Sequence, residues 1–202
     1  MTVSYPLSLP SVSGIRQTKF TLKSKASIHE SPWTGEVQVQ EHSGKFWEAV
    51  FEIPPMDRSD FAEWEAFFAS LRGRVGTFKA GPQYASSSQG DNDGSDKTVE
   101  SIDSTSTKLT VSGFSSSTNG VMLTGDYIEV NNELKIVRSD ADSDGSGEAT
   151  LDIEPLFRTD PSQGDTCVIA DPKAKMRLLG DVQVDFERFT SNGITFSARE
   201  DF

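Results

Sequence analysis

The chain has 202 residues, of which 31 are acidic, 19 are basic and 35% are apolar, for a formal net charge of −12. That length suits one large domain or two small ones. The charge, with no block of Lys or Arg, argues against a protein that grips nucleic acid through clustered phosphate contacts and against one that adsorbs to anionic membranes. The single cysteine, Cys167, rules out an intramolecular disulfide and reads as a small buried hydrophobe. Residues Met1 to Pro10 show no basic n-region and no apolar h-region, so no signal peptide is expected. No apolar run nears the ~20 residues of a membrane helix. A protein made soluble in a cytoplasm is expected. Aromatics crowd residues 33–78 and 186–202, while the middle is rich in Ser, Asp, Gly and Thr. This predicts a solid core built by the two ends and a thinner, more polar central part.

In chain order, Lys19-Phe20-Thr21-Leu22-Lys23-Ser24 alternates polar and apolar, the period of a half-buried strand. Residues 36–40 alternate in the same way. Over 46–53, Trp47, Ala49, Phe51 and Ile53 share one face. Ser43-Gly44-Lys45 is expected to turn, making 36–40 and 46–53 a hairpin with one face in a core. Pro54-Pro55 ends the strand, since proline cannot donate to a ladder. A helix follows over about 57–73. Asp57 or Ser59 can cap it, and Asp60 and Glu63 suit the positive end of its dipole. Phe61, Trp64, Phe67, Phe68 and Leu71 form one apolar stripe that must pack on the sheet. Gly73 stands where a left-handed residue ends a helix.

Ser86 to Asp96 holds no apolar residue and is expected to be a flexible loop. A second β-rich region runs from about 98 to 169, with strands at 108–111, 127–130, 133–138, 149–153 and 166–169. Asn131-Asn132 is expected to link two of them in a tight hairpin. Short strands at this spacing predict a small β-barrel or sandwich. Strands are expected again at 175–179, 182–189 and 195–199, with a turn at Ser191-Asn192-Gly193. If they join the N-terminal sheet, residues 1–82 and 170–202 form one domain and 83–169 is an insertion; a tandem arrangement is the alternative.

Residues 31–82 carry a resemblance: Ser31-Pro32-Trp33-Thr34-Gly35, Gly44 to Trp47, Ile53-Pro54-Pro55-Met56, Glu63 to Gly76 (EWEAFFASLRGRVG) and Thr77-Phe78. In order and kind they resemble the distal tail proteins of siphophages and prophages, a family related to the tail-tube fold. Gly125-Asp126-Tyr127 and Met176-Arg177-Leu178 fit the same pattern. The close match covers about a quarter of the chain and the looser pattern most of it. The resemblance implies a mainly β fold, a tail-tube-like sandwich or barrel core with one packed helix and a small inserted β-domain. It implies a structural component of the tail tip in the virion: a ring, hexameric by expectation, joining the tail tube to the tail-tip hub and letting DNA pass. The implied partners are further copies of the chain, the tail tube protein and the hub protein, with no specific nucleic acid and no membrane. An acidic wall would let DNA slide by repulsion, exposed sheet edges would pair around the ring, and the loops at 86–96 and 140–147 are expected to order on neighbouring tail proteins. Two alternatives are a host-polysaccharide-binding module using Phe114, Tyr127 and Phe157 of the central region, and another tube or tip component of the same fold.

No catalytic, cofactor-binding or metal-binding residue is nominated, and no enzyme activity is expected. Asp140-Ala141-Asp142-Ser143-Asp144-Gly145 has alternate oxygen ligands like the first half of a calcium loop, but its closing position is Leu151 and not Glu. Asp91-Asn92-Asp93-Gly94 is a weaker version. His29 and His42 have no companions at zinc spacing. No Gly-x-Ser-x-Gly elbow occurs, and Gly73-Arg74-Val75-Gly76 lacks the lysine of a phosphate loop and follows a helix. Arg72 and Arg74 either serve the helix C-terminus or pair with an acidic neighbour across the ring.

Overall fold

The computed structural model describes residues 3–11, 14–183, 186–187, 190–191 and 193–202. The protein is mainly β, 43% strand and 9% helical, as the strand periods predict. The described strands are β1 (Leu7–Ser8), β2 (Gln17–Glu30), β3 (Val37–Ile53), β4 (Phe78–Ala80), β5 (Lys97–Ile102), β6 (Lys108–Ser112), β7 (Tyr127–Val130), β8 (Glu133–Val137), β9 (Glu148–Glu154), β10 (Thr166–Val168), β11 (Ala174–Leu178), β12 (Phe186–Glu187), β13 (Thr190–Ser191) and β14 (Ile194–Glu200). A six-stranded sheet has the order β1-β4-β11-β14-β3-β2, so it takes strands from both ends of the chain. Strands β10-β5-β6-β9-β8-β7 form a closed barrel, sealed where β10 pairs with β7.

Helix α1 (Arg58–Leu71) begins at Asp57, whose extended backbone places its carboxylate to accept the Asp60 N–H at 3.3 Å. Ser59 does not cap; its hydroxyl donates to Asp57 at 2.9 Å. The left-handed exit starts one residue earlier than Gly73, at Arg72 (φ 51), whose N–H bonds the Ala69 carbonyl at 3.2 Å, and Gly73 (φ 65) continues it. The buried stripe is Phe61, Trp64, Phe67 and Leu71, with Phe68 half-buried beside it. These rings interlock with Phe51, Phe78 and Phe196 of the sheet, where Phe51 and Phe196 stack at 4.9 Å. Each large side chain buried here contributes about 1.5–3 kcal/mol of transfer free energy.

The hairpin expected at Ser43-Gly44-Lys45 is not there. Strand β3 runs unbroken from Val37 to Ile53, and its partner is β2, joined by a turn at residues 31–36. The turn is closed by Gly35 N–H to Ser31 O at 2.9 Å, with Gly35 at φ 68. Gly44 belongs instead to a bulge. Lys23 faces Phe46 and Lys25 faces His42, so β3 advances four residues while β2 advances two. A glycine between two alternating segments fits a bulge as well as a turn, and only the partner strand decides between them.

Asn131 (φ 53) and Asn132 (φ 69) form the expected tight turn between β7 and β8. Strand β5 was not expected. A register shift between Val99 and Ser101 places the apolar Val99 and Ile102 three residues apart, which hides the period of two. The central part is also not thin. Val99, Leu109, Val111, Val121, Met122, Ile128, Leu151, Cys167 and others fill the barrel with side chains that are fully or almost fully buried. Aliphatics pack a small barrel densely without raising the aromatic count. Of the strand expected over 182–189, Val184, Asp185, Arg188 and Phe189 lie outside the described residues, as does Asn192 of the expected turn; Val182 and Gln183 are not in a strand.

Sheet and barrel share a core, since Tyr127 and Leu134 of the barrel belong to the cluster under the sheet. The Glu200 carboxylate on β14 accepts the N–H of Trp47 on β3 at 3.1 Å and that of Leu134 on β8 at 3.2 Å. Lys79 pairs with Glu129 at 2.8 Å, and the other Glu129 oxygen accepts the Lys173 N–H at 2.9 Å. Lys135 is wholly buried, paired with Glu133 at 2.7 Å and set over the Phe157 ring at 4.5 Å. Burial lowers the Lys135 pKa against the pull of Glu133, and burial raises that of Glu200 against the pull of Lys135.

Candidate functional site

The feature left without a structural use is the outer half of the β2–β3 pair. From Ser24 to the turn and back to His42, almost every residue is exposed. The inward residues of the sheet are Phe20 and Leu22 on β2 and Trp47, Ala49, Phe51 and Ile53 on β3. Because strands alternate with a period of two, and the bulge shifts both strands by even steps, that same face continues outward as Ala26, Ile28, Val39 and Val37. Ile28 and Val39 sit directly opposite one another, 67% and 59% exposed, and Val37 is 53% exposed. Trp33, in the turn at the tip, is 93% exposed. The arm therefore extends the core face of the sheet beyond the described residues that cover it. Exposed apolar area gathered on one element marks an interaction surface. The opposite face is polar, with the Ser27 hydroxyl and the His42 ring hydrogen-bonded at 2.8 Å. His29 lies opposite Gln38 and His42 opposite Lys25, so the two histidines do not converge.

Charge is segregated as well. Residues 83–169 hold 16 acidic and 5 basic side chains, against 15 and 14 in the rest of the chain. Nearly all of the net charge is therefore carried by the barrel and the segments attached to it.

Both loops expected to be loose are tied down within the chain. In the loop 86–96, Ser88 donates to Asp126 at 2.8 Å, the Gln89 N–H donates to the other Asp126 oxygen at 2.8 Å, and Asn92 Nδ2 donates to the Val121 carbonyl at 2.7 Å. Asp126 is 3% exposed, so a loop without apolar residues is ordered by a buried acceptor. In the loop 140–147, Asp140 accepts from the Thr124 N–H and hydroxyl, each at 2.8 Å, Asp142 from the Gly120 N–H at 2.7 Å, and Asp144 from the Ser146 and Glu148 N–H groups at 2.8 and 2.9 Å. These bonds from Thr124 hold the Asp140 pKa below the usual carboxylate value, and those from Glu148 and Ser146 do the same for Asp144. The three carboxylates thus serve three separate stretches of backbone. Among the described residues no group of three or more His, Cys, Asp and Glu is placed to hold a metal ion.

The other singled-out residues are plainly placed. Cys167 is fully buried and its thiol pKa is pushed up to about 12, mainly by desolvation. Phe114, Tyr127 and Phe157 are all buried, so none of them offers a ring face to a sugar; Tyr84 is exposed, and its hydroxyl bonds that of Tyr127 at 2.9 Å. Arg72 forms the helix exit. Neither the Arg72 nor the Arg74 side chain makes an ion pair or hydrogen bond among the described residues, while the carbonyls of Arg74 and Val75 accept from Arg177. The arm itself escaped the sequence reading, although Ile28, Val37 and Val39 alternate with polar residues on both sides of Trp33 and were its available signal.

No protein family and no curated protein matches this chain.

Proposed function

We propose that the chain is a structural component of a long-tailed bacteriophage tail tip. Copies of it, six by expectation, assemble into a ring that joins the tail tube to the tail-tip hub and lets DNA pass. The reading starts from the resemblance of residues 31–82 to distal tail proteins. The observation that carries it in the fold is the uncovered arm, with Ile28, Val37 and Val39 exposed on one face and Trp33 at the tip. A closed ring requires on each copy a surface that its own core does not use, and the arm is such a surface. Strand β2 adds a second, because it is the last strand of the six-stranded sheet and one side of its backbone has no strand partner among the described residues. An acidic barrel facing the lumen would repel passing DNA and keep it from sticking.

On this reading the protein is not an enzyme and works without a cofactor. Its partners are its own copies, the tube protein and the hub, and it is made in the host cytoplasm and ends in the virion. Immunogold labelling of intact particles with antibodies against the barrel tests this. Gold confined to the tail tip is expected, and gold on the capsid, or on no part of the particle, contradicts it.

A further inference from the structure

Of the three tryptophans, Trp47 and Trp64 are 4% and 1% exposed, while Trp33 at the tip of the arm is 93% exposed. The turn that carries Trp33 is closed by Ser31 N–H to Glu36 O and Gly35 N–H to Ser31 O, each at 2.9 Å. Glu30 and Glu36 flank it, both exposed and with no ion pair or side-chain hydrogen bond among the described residues. Before Glu48, β3 leaves β14 behind and pairs with β2 alone. At about 3.3 Å per residue, this stands the tip roughly 30 Å beyond the rest of the sheet.

A cavity of matching size lies beside the opposite edge of the sheet, where β1 pairs with β4. It measures about 270 Å³ and has Ser8, Leu9, Ile15, Lys79, Gln83 and Lys173 among its walls. A cavity of about 150 Å³ already admits benzene, so this one has room for an indole. Leu9 and Ile15 pack on the core beneath it. Gly81 lies so close to Pro172 that a β-carbon there would collide with the Pro172 carbonyl, so the walls have little freedom to fall in. Lys79 is paired with Glu129 at 2.8 Å and Lys173 with Asp171 at 2.6 Å. Each ammonium has three N–H donors, so both lysines keep donors for a further carboxylate.

We propose that Trp33 of one copy seats in this cavity on a second copy, against Leu9 and Ile15, with Glu30 and Glu36 meeting Lys79 and Lys173. The proposal rests on the ring reading and names its contact. The arm holds Trp33 too far out to fill the cavity of its own copy, so the occupant is another copy's tip. Tip and cavity are different surfaces of one chain, which makes the contact heterologous, and its repetition closes a ring when the rotation allows. A tryptophan in a desolvated pocket is the kind of anchor that carries most of an interface's energy. The closed turn and the rigid walls keep the ordering cost small, and the carboxylates fix orientation more than they add affinity. Ile28, Val37 and Val39 extend the contact along the arm.

The test combines light-scattering mass of the full chain with acrylamide quenching of its tryptophan fluorescence, and thermal melting confirms that each variant folds. Trp47 and Trp64 are buried, so quenching reports on Trp33. Wild type is expected to form a multimer in which quenching falls, and dilution to the monomer is expected to restore it. Trp33→Ala is expected to weaken self-association by about 100-fold. A short bismaleimide is expected to join Thr34→Cys chains to Gln83→Cys chains when the two are mixed, and to join neither to itself; both positions are exposed and Cys167 is buried. A multimer in which Trp33 stays as quenchable as in the monomer overturns the inference and leaves the ring reading standing. So does a multimer in which Thr34→Cys chains are joined to one another and not to Gln83→Cys chains, since the tip then meets another tip. Wild type that is monomeric at every concentration overturns the inference and the ring reading together.

Discussion

The indole N–H of Trp47, in the sheet, donates to the carbonyl oxygen of Leu134, in the barrel, at 2.8 Å. The ring also packs 5.6 Å from Tyr127 of the barrel, and the Trp47 and Leu134 N–H groups share the Glu200 carboxylate. Trp47 therefore joins Glu200 and the Lys79–Glu129 pair in holding the two halves of the molecule in register. Trp47→Phe keeps most of the apolar contact and leaves the Leu134 carbonyl without its donor. A loss of about 1–3 kcal/mol in urea unfolding is expected, and a loss within ±0.3 kcal/mol of zero would show that the bond does not hold the junction.

The Glu200 pKa is raised, chiefly by burial. A group whose folded pKa exceeds its unfolded value contributes stability that is present below the unfolded value and lost as pH rises through the folded one. The buried charge therefore costs stability at neutral pH and is relieved on acidification. Urea unfolding of wild type and Glu200→Gln at about pH 7 and about pH 5 checks this. The difference is expected to move in favour of wild type at the lower pH, and movement the other way contradicts the assignment. The lowered pKa values of Asp140 and Asp144 withdraw stability only at still lower pH, as those carboxylates protonate.

Asp126 accepts from Ser88, Gln89 and Leu123 and is the anchor of the loop 86–96. Asp126→Ala is expected to cost about 3 kcal/mol and to open that loop to proteolysis at moderate protease concentrations. A variant as protease-resistant as wild type would mean that the loop is held by something else. Because each aspartate of the 140–144 loop is committed to backbone N–H groups, about 1 mM calcium is expected to leave the melting temperature of wild type unchanged. A calcium-dependent rise would reinstate the calcium loop.

Cys167, buried with its pKa pushed up to about 12, is expected to ignore a thiol reagent in the native protein and to react fully once denatured. Fast native labelling would require the barrel to open readily.

Ile28→Asp with Val39→Asp touches only the exposed arm. Melting is expected to shift by less than about 0.5 kcal/mol equivalent, while assembly into multimers is lost. Unchanged assembly would remove the arm from the contact.

The helix was the most legible element, since an aromatic stripe at helical spacing between a proline pair and a glycine admits few other structures. The short strands of the barrel were legible where alternation was clean, as in β6 and β9, and invisible in β5, where a bulge breaks the period. Gly44 shows the limit of local reading: turn and bulge use the same residue, and the choice belonged to β2, which lies about twenty residues away in sequence. The loops misled for a related reason. Absence of apolar residues predicts disorder only if no buried polar group waits for them, and Asp126 does.

The most direct test of the central claim is electron microscopy of the purified protein beside the intact particle. A closed ring with a pore wide enough for a DNA duplex, matching density at the tail tip, is the predicted result. A protein that remains single at assembly concentrations, with no counterpart in the tail, would contradict it.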